Sequence, residues 1–290
     1  MDYHKNQFED SSLLVFKKEK LIALFPANRN KDIVYSHQGL TYGGLLTSEM
    51  VKLIDVIECF KVILYFYKTI GYSAIEIKLL PSIYSIEPND EMQYMLFILK
   101  ANLIRRDTLS TINLKHRFKI SKDRVDGRKR AVKHNLEIKE VDDLSQFWNQ
   151  VLIPNLKNKH NTQPVHSLEE ITHLKQKFPN NIRQFNVYRD GNIVAGTTIF
   201  ETKFVAHSQY ISGSEEKNEL GSLDFLHLHL IENVFNDKRY FDFGTSNEHE
   251  GKQINKGLMF WKERFGARTI TQDFYSINLE NLNNLDTIFV

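Results

Sequence analysis

The polar segment at residues 244–256 carries residue types that general acid–base chemistry uses. A carboxylate or an imidazole can accept a proton from a reacting group, and hydroxyl and amide groups can orient a substrate by hydrogen bonds. The alternative is a solvated loop whose polar groups only make turn hydrogen bonds. We predict that Glu248, His249 and Ser246 of this segment are catalytic. Asn247 and Asn255 are predicted to bind substrate.

A second polar segment, at residues 159–167, joins two predicted helices and contains two histidines. An imidazole can bind a substrate or carry a proton near neutral pH. We therefore predict that His160 and His166 bind substrate. The alternative is that the segment only caps helices and faces solvent.

The strongest local charge feature is a basic run at residues 115–133. Such a run suits a diphosphate-linked sugar, a tRNA backbone or an anionic membrane surface. We predict that Arg128 and Arg130 bind substrate. The alternative is a solvated helix between two domains.

The sequence predicts no metal site and no disulfide framework. It has one cysteine, Cys59, which lies in an apolar run and is expected to be a buried thiol. His227 and His229 are two residues apart on a predicted helix and therefore point in different directions. None of the usual two-ligand zinc spacings is present.

Composition indicates a globular chain without a global attraction to nucleic acid. The 290 residues are 41% hydrophobic and 26% charged, and 38 basic residues against 36 acidic ones give a net charge of +2. The most apolar segment, residues 53–70, is interrupted by four charges and predicts a buried helix rather than a membrane span. The N-terminal residues are polar, so we expect a cytoplasmic protein with no integral membrane segment.

The elements that must position these residues are repeated along the chain. Two hairpin patterns align without a gap, and each is followed by an alternating run, a glycine-containing bend, a long helix and a strand. The matched segments are 14–23 with 186–195, 32–37 with 204–209, 48–70 with 222–236, and 73–77 with 239–243. The polar segment at 244–256 leaves the end of the last of these strands, where parallel strands offer a site.

The second copy has additional elements at its front. They are a strand at 136–141, a helix at 143–156, and a helix at 167–178 that Ser167 and Glu170 begin with a capping box. We predict an α/β fold with mixed sheets and two similar domains in tandem, the first abbreviated. The predicted boundaries are 1–120 for the first domain, 121–135 for a basic helical connector and 136–290 for the full second domain.

The order of elements in the second half is similar to the GNAT acyltransferase fold, and two such units in tandem resemble the FemAB type of GNAT protein. Two short motifs support the resemblance. Residues 128–136, RKRAVKHNL, resemble the basic helix that precedes a new strand in the family. Residues 260–266, FWKERFG, resemble its F-K-x-x-F-G segment with a tryptophan inserted before the lysine.

The resemblance implies an acyl group donated by an acyl-coenzyme A, such as acetyl-coenzyme A, and an amine acceptor. FemAB relatives instead take an amino acid from aminoacyl-tRNA and add it to a peptidoglycan precursor. The lysine of the motif, Lys262, is then expected to be catalytic as a cation near the reacting ester or its phosphate. The donor phosphates would lie at the start of the long helix, which assigns cofactor binding to Ser212, Gly213, Asn218, Gly221 and Ser222. Three carboxylates between residues 215 and 219 depart from the family pattern at this place.

We therefore predict an acyltransferase of cell-envelope biogenesis that moves an acyl group from acyl-coenzyme A to an amine of an envelope or polysaccharide precursor by direct amine attack. The acceptor would be a small molecule or a lipid- or nucleotide-linked sugar. One alternative is an aminoacyltransferase of the FemAB type, with tRNA as partner. Another is a non-catalytic module that keeps the GNAT fold and binds an anionic ligand.

Overall fold

The computed structural model describes residues 7–290, apart from the side chains of Lys159 and His160, and the chain divides into two compact units. The first unit contains the described residues up to Asp107, His249–Lys252 and Thr271–Val290. The second contains Thr108–Glu248 and Gln253–Ile270. The units are divided differently from the predicted domains, because residues 108–135 lie in the second unit and residues 249–252 and 271–290 lie in the first.

The described part of the first unit contains short strands and two α-helices. Its elements, together with the strand that leaves it, are β1 (Glu9–Asp10), β2 (Leu13–Lys17), β3 (Lys20–Phe25), β4 (Asn28–Asn30), β5 (Ile33–Tyr35), β6 (Leu46–Thr47), α1 (Leu53–Thr69), β7 (Ala74–Lys78), α2 (Glu91–Ile98) and β8 (Asn102–Asn113). A 3-10 turn at Ser82–Tyr84 lies between β7 and α2.

The second unit has longer strands. Its elements are α3 (Lys122–Lys133), β9 (Glu137–Val141), α4 (Ser145–Phe147), α5 (Ile153–His160), α6 (Leu168–Lys177), β10 (Ile182–Arg189), β11 (Asn192–Glu201), β12 (Val205–Gly213), α7 (Lys217–Leu220), α8 (Ser222–His229), β13 (Tyr240–Thr245), β14 (Asn247–Glu248), β15 (Gln253–Ile254) and α9 (Lys256–Glu263). The last strand, β16 (Arg268–Asn278), and a 3-10 segment at Leu279–Thr287 complete the chain.

The sheet of the first unit runs in the order β1, β4, β5, β7, β16. β5 and β7 are parallel, and the C-terminal part of β16 pairs antiparallel with β7 from Phe274↔Lys78 to Asn278↔Ala74. α1 covers this sheet because its apolar residues recur at helical spacing, and Cys59 is buried among them. Among the described helices, none is long and apolar enough to cross a membrane.

The predicted hairpin at 14–23 forms, but not as the direct counterpart of 186–195. β2 and β3 pair with each other and with β6 in a separate three-stranded sheet. In the second unit the matching hairpin, β10 and β11, belongs to the sheet that contains β12. In the first unit β5, which aligns with β12, pairs with the three-residue β4 on the side where β12 pairs with β11.

The sheet of the second unit runs in the order β8, β13, β12, β11, β10, β9. Only β12 and β13 are parallel, and their other neighbours in this unit are antiparallel. The fold is therefore mixed α/β, as predicted. α8 packs against the sheet, and its apolar side chains share a core with Phe185, Phe241 and Phe265.

Several local predictions for the second unit are confirmed. Ser167 accepts a hydrogen bond from the N–H of Glu170, whose side chain accepts one from the N–H of Ser167, and together they form the capping box. The predicted helix at 143–156 is one helical segment in which α4 and α5 flank π-helical turns at Trp148–Leu152. Pro154 follows these turns and has no N–H to donate to an α-helical ladder, which suits a locally widened helix.

Candidate active site

A cleft of about 690 Å³ opens in the second unit where β12 and β13 part. The two strands pair in parallel at Val205↔Tyr240, Ala206↔Phe241 and His207↔Asp242, and their pairing ends there. β13 also changes register against β8 between Asp242 and Thr245, and Gly244 has φ of 66°, which favours glycine. We call this opening the second-unit cleft.

The charged side chains that line the second-unit cleft are mostly cationic. Four cations face one carboxylate, so the cleft suits an anionic ligand. The charged lining residues are Arg124, Arg130, Lys217, Lys262 and Asp224. The polar lining includes Asn155, Ser208, Gln209, Ser212, Asn218 and Thr245.

Lys262 is the buried cation of the cleft. It belongs to α9 and is only 2% exposed, and its Nζ donates to the carbonyl of Gly244 at 3.1 Å and of Thr245 at 2.6 Å. No described carboxylate lies within ion-pair distance of it. Burial lowers the pKa of Lys262 to about 8, and the nearby Asp242 carboxylate opposes that shift. Below pH 8 its third proton therefore remains for a ligand.

A neutral histidine lies beside this lysine. His227 of α8 is completely buried, and its Nδ1 donates to the carbonyl of Leu223 at 2.9 Å. Its Nε2 has no hydrogen-bond partner among the described residues, and aromatic rings surround it, with Trp261 at 5.1 Å and Phe243 at 5.3 Å between centroids. Burial lowers the pKa of His227 to about 4, so it adds no positive charge beside Lys262 at neutral pH.

The start of α8 is covered by α3. A Cβ added to Gly127 would lie 2.0 Å from Asp224 Oδ2, and a Cβ added to Gly221 would lie 2.1 Å from the carbonyl oxygen of Gly127. Both positions thus require glycine for this close approach. Ser222 is fully buried beneath the contact, and its Oγ has no hydrogen-bond partner among the described residues. Gly221 and Ser222, two of the residues predicted to hold donor phosphates, therefore lie under α3.

An ion pair fixes one wall of the cleft. Arg124 of α3 contacts Asp224 of α8 at 2.6 Å, and Trp261 Nε1 donates to the same carboxylate at 3.1 Å. Burial raises the pKa of Asp224, while Arg124 acts against that shift. Asp224 therefore links α3, α8 and α9 and has little capacity left for a ligand.

A second buried pair lies where β12 and β13 separate. His207 Nδ1 donates to Asp242 Oδ2 at 2.9 Å, and Asp242 Oδ1 accepts from Thr111 Oγ1 and from the N–H of Gly244. His207 Nε2 lies 3.1 Å from Oε1 of Gln209, which lines the cleft. Asp242 thus holds the end of β13 and the histidine in fixed positions.

The structure brings together only part of the predicted site. Five predicted residues line the second-unit cleft: Ser212, Gly213, Asn218, Arg130 and Lys262. Ser212 Oγ accepts from Asn155 Nδ2 at 2.8 Å, and Arg130 Nη2 donates to the carbonyl of Asn218 at 3.2 Å. Gly221 and Ser222 lie beneath α3 instead.

The polar turn after β13 is held by its own hydrogen bonds. Asn247 Oδ1 accepts from the N–H and Oγ1 of Thr108 and from Thr245 Oγ1. Asn255 caps α9 by accepting from the N–H of Leu258, and its Nδ2 donates to Glu248. These side chains do not line the cleft, and their predicted catalytic and binding roles remain predictions.

The other members of the predicted rim lie apart from the cleft lining. Glu248 is exposed in β14, and Ser246 is buried with an Oγ that has no hydrogen-bond partner among the described residues. His249 belongs to the first unit and has φ of 49°.

The remaining predicted substrate-binding residues also lie outside the cleft lining. His166 is buried, and its Nδ1 shares a hydrogen bond of 2.5 Å with the hydroxyl of Tyr210. Arg128 forms an ion pair with Glu232 at 2.6 Å. The side chain of His160 lies outside the described residues. Among the described residues, no group of three or more His, Cys, Asp or Glu side chains could hold a metal ion.

The sequence interpretation missed several cleft residues. Arg124 belonged to the basic run but was not singled out, and Trp261 stood beside Lys262 in the family-like motif. Asp224, Asn155 and Gln209 carried no local signal, because their place in the cleft depends on contacts between distant segments.

Comparison with known proteins agrees with this architecture. The family model described as the acetyltransferase (GNAT) domain matches residues 115–252. The crystal structure of FemX is 11% identical, with a TM-score of 0.66 over 98% of this chain and 92% of that chain. No curated protein sequence matches the chain.

Two further solved structures are similar over most of their length. The C-terminal domain of a protein described as a lysylphosphatidylglycerol synthetase, from Agrobacterium fabrum, is 13% identical, with a TM-score of 0.63 over 96% of this chain and 87% of that chain. A tandem GNAT protein from the clavulanic acid biosynthesis pathway is 10% identical, with a TM-score of 0.51 over 96% and 86%. At these identities the similarity shows the fold.

The family model and these folds support the same assignment. Residues 115–252 match the model of the acetyltransferase (GNAT) domain, and the chain as a whole shares its fold with FemX and with a tandem GNAT protein.

Proposed function

We propose that the second unit transfers an acyl group from a phosphate-bearing ester or thioester to an amine. The observation that carries this proposal is the position of Lys262, whose Nζ is held by two carbonyls at the opening between β12 and β13. Two of its three ammonium protons are used by those carbonyls. The third can donate to the oxygen of the reacting carbonyl or to a phosphate of the donor.

The chemistry follows from direct attack. The acceptor nitrogen forms a bond to the carbonyl carbon, and the carbonyl oxygen becomes an oxyanion. That oxyanion then expels the donor's oxygen or sulfur, which leaves with the electron pair, while the nitrogen loses its proton to a base. A buried ammonium is most useful at the oxyanion stage, because water screens it least there. Glu248 does not line the cleft. Its role as the base is a prediction from the sequence, and Glu248→Gln tests it, since unchanged transfer would remove Glu248 from that role.

The donor is expected to be anionic because four cationic side chains line the second-unit cleft. Acyl-coenzyme A meets that requirement and fits the acetyltransferase description of the matched family model. The acceptor would be an amine of a cell-envelope or polysaccharide precursor in the cytoplasm. A protein of similar fold is described as a lysylphosphatidylglycerol synthetase, and the lipid in that name supports an envelope precursor as the acceptor.

A second candidate donor, aminoacyl-tRNA, is favoured by the packing of α3 on α8. The helix start that would hold a pyrophosphate by its N–H groups is covered at Gly221 and Ser222. A donor with many phosphates can use side-chain cations such as Arg130 and Lys217 without that helix start.

Transfer assays with both donors test the proposal. Purified protein would be incubated with an amine acceptor and either acetyl-coenzyme A or an aminoacyl-tRNA mixture, and the amide product would be followed by mass spectrometry. The key variant is Lys262→Met, and its matched control is Lys256→Met, an exposed lysine on the same helix. We expect about a hundredfold slower transfer for Lys262→Met and no change for Lys256→Met.

Each outcome has a clear meaning. Product from acetyl-coenzyme A supports the first donor, and product from aminoacyl-tRNA supports the second. Donor binding without product in either reaction would favour the non-catalytic module. Full activity of Lys262→Met would contradict the assigned role of the lysine.

A further inference from the structure

The first unit has its own cavity, of about 580 Å³, at the end of its parallel strand pair. β5 and β7 pair at Ile33↔Ala74, Val34↔Ile75 and Tyr35↔Glu76. Beyond this point Ser36 Oγ accepts a hydrogen bond from the N–H of Lys78. The volume lies within the range of small-ligand pockets. We call this space the first-unit cavity.

One part of the cavity lining is acidic. Glu76 is half-buried, and no described cation lies within ion-pair distance of it. Burial raises its pKa, and the carboxylate of Glu250 raises it further. Glu250 directly precedes Gly251, where an added Cβ would lie 2.4 Å from the carbonyl oxygen of Arg106. Both Glu76 and Glu250 line the cavity.

Another part of the lining is basic and rigid. Arg105 donates from Nε and Nη2 to the two oxygens of Asp107 at 3.0 and 2.6 Å, and its Cζ lies 4.6 Å from the ring centroid of Phe274. Lys78 Nζ donates to the carbonyl of Leu40. Burial lowers the pKa of Lys78 to about 8, and repulsion by Arg105 adds to that shift.

The two kinds of charge do not neutralise each other. Glu76 and Lys78 are two residues apart on β7 and therefore lie on one face of the strand, yet no ion pair joins them. The lysine uses a backbone carbonyl instead, and the glutamate has no cationic partner among the described residues. Partly buried charges are costly unless they are paired, so a ligand with both charges would pair them.

We propose that the first-unit cavity binds a small zwitterion, with its ammonium at Glu76 and Glu250 and its carboxylate at Arg105 and Lys78. A free amino acid or a short peptide with two free ends has this chemistry. The site is separate from the transfer reaction proposed for the second unit, and its existence does not depend on that reaction.

Binding of matched dipeptides to the whole protein tests the proposal. L-alanyl-L-alanine, its N-acetyl derivative and its C-terminal amide would be titrated by isothermal calorimetry, with glycine and trialanine as shorter and longer probes. Each capped form keeps the size but loses one charge. We expect a free zwitterion to bind, and each cap to weaken binding about ten- to a hundredfold.

Variants assign the two ends of the ligand. Glu76→Gln should remove the penalty of N-acetylation, and Lys78→Met should reduce the penalty of amidation. Matched controls are Glu58→Gln and Lys20→Met, which alter exposed residues of the same unit outside the cavity. Thermal unfolding of each variant would check that it folds, and the comparison of capped probes on the native protein needs no variant.

The outcomes separate this site from the transfer reaction. Binding of the free probes alone, with charge penalties removed by the matching variants, supports the zwitterion site. Equal binding of free and capped dipeptides, or no binding of any free probe, would overturn it. If zwitterions slow or speed transfer, the site is regulatory or serves a substrate, whereas unchanged transfer with measured binding leaves it an independent site.

Discussion

The parallel strand pairs β5–β7 and β12–β13 end in equivalent residue pairs, but the carboxylates of these pairs have different environments. The repeat aligns Tyr35↔Glu76 of the first unit with His207↔Asp242 of the second. Asp242 is fully buried and bonded to its partner histidine, to Thr111 and to a backbone N–H. Glu76 faces a tyrosine and lines a cavity, with no cationic partner among the described residues. Asp242 therefore stabilises the fold, whereas Glu76 is available to a ligand.

The second-unit cleft and the first-unit cavity are each lined by a lysine with a lowered pKa, but the two lysines come from different elements. In the second unit Lys262 comes from a helix and is attracted by the carboxylate of Asp242, whereas in the first unit Lys78 comes from the strand itself and is repelled by Arg105. Burial lowers the pKa of both lysines to about 8. The repeated fold thus provides an opening in each unit, and the charged side chains around each opening determine which ligand it can bind.

The largest difference is expected from isosteric amide substitutions at the two carboxylates. Asp242→Asn removes a buried charge from its histidine and should lower the free energy of unfolding by about 3 kcal/mol. Glu76→Gln breaks no described ion pair and should change it by less than about 0.5 kcal/mol. Urea unfolding of both variants measures these free energies. Equal losses of stability would mean that the two carboxylates contribute equally to the fold.

Stability against pH separates Lys262 from an ordinary lysine. Its folded-state pKa is about 8 against 10.5 in the unfolded chain, so the unfolded state binds more protons between these values. Stability relative to Lys262→Met should therefore rise by about 3 kcal/mol as pH increases from 8 to 10.5. Denaturation of wild type and variant across that range is the measurement. A constant difference would mean that Lys262 titrates normally.

Among the described residues, the glycine contact that covers the start of α8 has no counterpart at the start of α1, where Leu53 and Ile54 are exposed. Gly127→Ala should cost about 2 kcal/mol, because the new Cβ would overlap Asp224. Gly257→Ala in α9 meets no atom closer than 3.7 Å and should be neutral or slightly stabilising. Thermal unfolding compares the two, and a harmless Gly127→Ala would show that α3 does not press on this helix.

The smallest expected effect concerns helix capping. Asn255 accepts from the N–H of Leu258 at the start of α9, whereas Lys52 at the start of α1 makes no side-chain cap. Asn255→Ala should lower the free energy of unfolding by about 1 kcal/mol, and Lys52→Ala should leave it nearly unchanged. If Asn255→Ala abolished transfer without loss of stability, Asn255 would bind substrate rather than cap the helix.

Local patterns predicted elements better than they predicted the site. The strand predicted at 73–77 is Ala74–Lys78, and the capping box at Ser167 forms because its two partners are three residues apart. The pairing of β16 with β7 had no local signal, since these strands are distant in sequence. Asn247 shows most clearly why the site could not be predicted. Its side chain accepts hydrogen bonds from Thr108, which lies 139 residues earlier in the chain.

The role of Lys262 can be tested directly by the pH dependence of acyl transfer. Rates would be measured for wild type, Lys262→Met and Lys256→Met, with an arylamine acceptor whose nitrogen stays unprotonated across the range. Because the ammonium form exists below its pKa of about 8, the wild-type rate should fall as pH rises through 8. Lys262→Met should be about a hundredfold slower and lack that fall, while Lys256→Met should follow wild type. A Lys262→Met enzyme with the wild-type rate and pH profile would contradict the account.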